Sequence, residues 1–140
     1  MEHPALLRQH IIASLIAQQP EHIADAAMDH WQKLADEIIS IVGEAGFNSL
    51  YERSVLLAQS AFPWLPLCPS PPQTPHRFAD LGARLADQAP ADARAAHSLL
   101  LTTFTDILAS LIGEQLTASI LRSAWGNPAS FTAGKELDNE

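Results

Sequence analysis

Six imidazoles and a pair of carboxylates in a repeated phrase are the groups of this chain whose type and spacing could do chemistry. The histidines are His3, His10, His22, His30, His76 and His97, and no two stand four apart, the spacing at which one helix offers two imidazoles to a metal ion. His22, Asp25 and Asp29 share one helical face with Glu21 beside them, and a solvated acidic face accounts for them without a ligand. The single cysteine, Cys68, lies in a proline-rich stretch with His76 eight residues on, and no glycine-rich nucleophile turn or phosphate-cradling loop accompanies it. No catalytic residue, metal or cofactor is assigned on this basis, and enzymatic activity is not expected.

The carboxylates are Glu44 and Glu114, in the phrases IVGE (Ile41 to Glu44) and LIGE (Leu111 to Glu114), seventy positions apart. Asp36 and Asp106 each precede their glycine by seven positions, and Ser49-Leu50 is answered by Ser119-Ile120. The repetition predicts two related helix-Gly-Glu-helix units packed together. Glycine marks helix ends, so Gly43, with Gly46 three positions on, predicts a break, whereas Gly113, with no second glycine, predicts a continuous or kinked helix. A sharper reading makes Gly43 and Gly113 points of close approach between crossing helices, with Glu44 and Glu114 beside the crossing. Those carboxylates are then expected to be solvated or ion-paired with Arg53 or Arg122; brought close together, they would instead form a small-ligand or metal-sensing site.

The stretch Ala96-His97-Ser98-Leu99 resembles the phosphorylated helix of histidine phosphotransfer domains, which are small, often acidic helical bundles. That resemblance implies His97 as a phosphoacceptor in a signalling intermediate. The family's Lys and small residue after the histidine are replaced here by Leu100 and Leu101, which removes the charge assistance a phosphoryl group needs. His97 otherwise reads as a half-buried helix residue. The phrases GFNSLYERS and LTASILRSAW resemble those of small bacterial helical proteins, a resemblance that implies no activity.

The elements that must position these groups are helical. Apolar residues recur at three- and four-residue steps, as in Ile23, Ala27, Trp31, Leu34, Ile38 and Ile41, and no run alternates as a strand does. The spacing predicts a single all-α bundle of about five helices over 4–18, 21–42, 46–62, 76–89 and 91–125, with a domain at 1–128 and a small, polar tail at 129–140 expected to be disordered. A straight last helix of about 50 Å would carry more apolar surface than one copy covers, which points to a symmetric dimer. Six prolines between Pro63 and Pro75 exclude regular structure there. Phe62, Trp64, Leu65 and Leu67, with Trp125, thus form either a plug over the bundle or an anchor for a partner.

A net charge of −8 and scattered basic residues argue against nucleic acid. A single cysteine fits a reducing cytoplasm, Ile11 to Ala17 is too short and poorly flanked for a signal peptide, and no uninterrupted apolar run is long enough to cross a membrane. The functional expectation is a non-enzymatic interaction or regulatory module whose partner is another protein or a second copy.

Overall fold

The computed structural model describes residues 4–17, 23–66 and 78–126, and Leu67, Cys68, His76 and the tail 129–140 lie outside them. Five helices follow in order: α1 (Pro4–Ala17), α2 (Ile23–Ala58), α3 (Ala79–Ala86), α4 (Pro90–Ile112) and α5 (Glu114–Trp125). No strand occurs among the described residues, so the all-α reading holds. Prolines open α1 and α4, where their fixed φ suits the first turn and their missing N–H costs nothing.

Both glycines of the repeated phrase break the helix. Gly43 has φ 84° and ψ 167°, and Gly113 has φ 98° and ψ 153°, nearly the same conformation and one that side-chain-bearing residues rarely adopt. Each turns the chain with a single residue. The effect is visible across Gly43, where the rings of Trp31 and Tyr51 lie 5.1 Å apart; a straight helix would separate these positions by about 30 Å. The continuous or kinked helix expected through Gly113 is therefore corrected to two helices, α4 and α5, and the unbroken 50 Å rod that suggested a dimer is absent. The close crossing is corrected as well: a Cβ built on Gly43 or Gly113 meets nothing within 4 Å, so these glycines serve dihedral freedom and not helix contact.

The correspondence between the halves extends beyond the repeated phrase. Ile11 and Leu81, Leu15 and Leu85, Trp31 and Leu101, Leu34 and Phe104, Ile38 and Leu108, and Val55 and Trp125 are all buried, and each pair is seventy positions apart. Asp36 and Asp106, and Ile41 and Leu111, are exposed at the same spacing. In this register α3 is the counterpart of α1, a helix the repeated phrase did not reveal. Gln18-Gln19-Pro20 and Gln88-Ala89-Pro90 carry the same register through the sequence with no gap.

Packing crosses between the halves. α2 lies against α4 and α5; α1 packs on α5 and α4 and scarcely touches α2; α3 packs mainly on α2. The core is built around the rings of Trp31, Phe47, Tyr51, Phe78 and Phe104, with neighbouring centroids 5.1 to 6.1 Å apart, mostly edge to face or tilted. Complete burial of such a side chain contributes about 2–3 kcal/mol by area. By length and mean composition α4 is apolar enough to span a membrane, although it contains no uninterrupted apolar run of that length. Its Ala96, Leu100, Leu101, Phe104 and Leu108 are buried within the bundle, as in a core helix.

Candidate functional site

Among the described residues, two polar clusters interrupt the apolar core. In the first, His30 of α2 and His97 of α4 meet: His30 Nδ1 lies 3.2 Å from His97 Nε2, and the rings are stacked with centroids 5.4 Å apart and planes 14° from parallel. One nitrogen donates and the other accepts, so the contact requires at least one neutral ring. Trp125 closes the cluster from α5, its indole Nε1–H donating to the His30 carbonyl at 2.9 Å. Burial pushes the His97 pKa down to about 3, with the nearby His30 adding to the effect. Burial likewise pushes His30 down to about 4; Lys33 acts in the same sense and Asp29 against it. At neutral pH the pair is uncharged, and His97 Nδ1 has no hydrogen-bond partner among the described residues.

This geometry corrects two expectations. His97 is fully buried, not half-buried, and its Nε2 is engaged by His30, so a phosphoryl donor has no access to it in this conformation. Trp125 is 8% exposed and its polar edge is used internally, which removes it from any surface patch. Among the described residues no three His, Cys, Asp or Glu side chains come together as metal ligands would.

The second cluster is centred on Arg8 of α1, which is only 4% exposed. Its Nε and Nη2 donate to the two carboxylate oxygens of Glu114 at 2.9 and 3.1 Å, and its Nη1 donates to Asp106 at 2.5 Å and to Thr105 Oγ1 at 3.1 Å. Burial alone would lower the Arg8 pKa, but the hydrogen bonds and charges of Glu114 and Asp106 outweigh it and hold the group above its ordinary value. The bidentate fork fixes orientation as well as distance. Arg8 thereby ties α1 to both sides of the Gly113 break. Glu114, expected to meet Arg122 or Arg53, is held by Arg8, a residue 106 positions away. Glu44, at the equivalent place in the first half, is exposed.

The aromatic loop is a plug over much of its described length. Leu65 is 2% exposed, and its carbonyl accepts from Gln59 Nε2 at 2.8 Å. Phe62 and Trp64 are half-buried, packed edge to face at 5.9 Å and resting on the core, and Arg84 donates to the Trp64 carbonyl. Leu67 falls outside the described residues. Among the described residues the large apolar side chains that remain open are aliphatic: Ile41, Val42, Leu56, Leu57, Leu111 and Leu116. A cleft of about 300 Å³ lies where α2 begins and α3 gives way to α4, lined by Ile23, Ala24, Asp25, Leu85, Ala86, Gln88 and Pro90, with Asp25 the one charged group among its described lining residues.

Sequence reading singled out His97, Asp106 and Glu114 but missed His30 and Arg8. Helical spacing places His30 on the apolar face with Trp31 and Leu34, a signal of burial that says nothing about its companion. Comparison of this chain with protein-family models, with curated proteins and with solved structures finds no match.

Proposed function

We propose that this protein is a non-enzymatic interaction module that contacts another protein chain through aliphatic side chains beside its two glycine breaks. The observation that carries this reading is the exposure of Ile41 at 52% and Leu111 at 66%, large apolar residues at the same register of the two halves and each two positions before a break. Val42, next to Ile41 in the chain, and Leu116, three residues past Gly113, are exposed as well. Exposed apolar groups of this size are characteristic of surfaces that are covered in a complex. The aromatic loop contributes at most the open edges of Phe62 and Trp64, because Leu65 and Trp125 are spent on the core.

The test is site-specific photocrosslinking in intact cells. A photoreactive residue at position 41 or 111 is expected to yield the same protein adduct, and one at exposed Lys33 or Asp80 is not. Ile41→Asp or Leu111→Asp should reduce adduct formation from the other spot while helicity is unchanged. Equal labelling at all four positions, or none at 41 and 111, overturns the proposal.

A further inference from the structure

We propose that α1 is an exchangeable arm, and that two copies of this chain form a dimer in which each α1 sits on the α4–α5 surface of the other copy. The inference is independent of the exposed aliphatic spots. It starts from where α1 is held: the helix packs on α4 and α5 and barely on α2, its neighbour in the chain. Its Ile11, Ile12 and Leu15 are 0%, 2% and 5% exposed, so it is fully seated on the second half of the molecule.

The seat is selective by charge. In a chain of net charge −8, Arg8 is the one buried Lys or Arg among the described residues, and it meets Asp106 and Glu114 with Thr105 as a third acceptor. A helix that occupies this surface must deliver a cation at one point and large aliphatic side chains three, four and seven positions later. α1 of another copy meets that requirement because it is the same helix.

Within one chain the two equivalent first helices are already seated across the halves. By register α1 and α3 are equivalent first helices, and each packs mainly on the other half: α1 on α4 and α5, α3 on α2. Reciprocal exchange of α1 between copies reproduces every contact that α1 makes in one chain. The two forms then make the same α1 contacts and differ in the entropy of association, the condition under which swapping of an identical element is inexpensive.

The experiment uses two full-length variants, Arg8→Glu and the double variant Asp106→Arg with Glu114→Arg. In the first, the introduced carboxylate faces Asp106 and Glu114; in the second, Arg8 faces two introduced guanidiniums. Mixed in equal amounts, the two chains pair opposite charges at both seats only by exchanging α1. Native mass spectrometry with one variant isotope-labelled should show a mixed species of twice the 15.2 kDa chain mass, at least tenfold above the dimer either variant forms alone. A mixture that dimerises no more than its components overturns the proposal. Labelled and unlabelled wild-type chains, refolded together at high concentration, give a second reading that no folding defect can spoil. Mixed dimers are expected, and recovery of monomer alone overturns it.

Discussion

Arg8 and Phe78 occupy the same register of the two halves, one at 4% and the other at 1% exposure, and solve the same packing problem with opposite chemistry. Arg8 enters beside the Gly113 break and is met by Thr105, Asp106 and Glu114. Phe78, at the threshold of α3, stands among Trp31, Phe47 and Tyr51, with centroids 5.5 to 6.1 Å away. The repeat thus preserves which positions are buried and leaves their contents free. The difference has energetic meaning. A buried ring returns its full transfer free energy, whereas a buried guanidinium first loses its hydration and recovers it only from well-placed carboxylates. The Phe78 seat is built for stability and the Arg8 seat for selectivity.

The largest test of that contrast is Phe78→Ala, which should cost roughly 4 kcal/mol, the loss expected for truncating a buried aromatic, read from chemical denaturation. A cost below about 1 kcal/mol would show that the aromatic cluster collapses around the gap.

The second concerns His30 and His97, whose counterparts seventy positions away are Leu100 and Ala27, so the pair has no equivalent in the repeat. Their pKa values are lowered from 6.5 to about 4 and about 3 in the folded chain. As pH falls below 6.5 the unfolded chain takes up protons that the folded one refuses. Stability is therefore full above that pH and declines as pH falls toward the folded values, by roughly 2 kcal/mol for each imidazole between pH 7 and 5. The double variant His30→Leu with His97→Ala should flatten this part of the stability curve, and an unchanged slope would assign it to other groups.

At the Arg8 seat the two ends of the ion pair should differ. Glu114→Ala leaves a buried guanidinium with one carboxylate and is expected to cost roughly 2 kcal/mol. Arg8→Met leaves carboxylates that reach water, Asp106 being 56% and Glu114 31% exposed, and is expected to cost roughly half as much. The reverse order would break the reading of this seat as a desolvated cation.

Matched effects, comparable in size to those at the Arg8 seat, should fall where the halves agree. Gly43→Ala and Gly113→Ala each place a side chain in open space but in a positive-φ extended conformation that is essentially confined to glycine, so each should cost roughly 1–3 kcal/mol, equal to within about 0.5. A clear inequality would show that the two breaks are not equivalent.

Much of this fold was legible in the chain. The three- and four-residue recurrence gave the helices, Pro20, Pro63 and Pro90 bounded them, and the repeated Gly-Glu phrase marked the turn at Gly43 and the seventy-residue register. The state of Gly113 was misread because a lone glycine is compatible with a helix interior; only its positive φ distinguishes a break. The candidate sites were half legible. Glu114 stood out through its phrase, but Arg8 looked like any surface cation, and His97 drew notice for a local resemblance that its complete burial opposes.

What the amino-acid order fixed by itself is local: helical period, the turn at Gly43 and the repeated Gly-Glu phrase, all governed by backbone dihedrals and by neighbours within one or two turns. Tertiary structure decided which buried faces meet. A periodic stripe declares that a face avoids water without naming what covers it, so the joining of His30 to His97 and of Arg8 to Glu114, across 67 and 106 residues, belongs to packing alone.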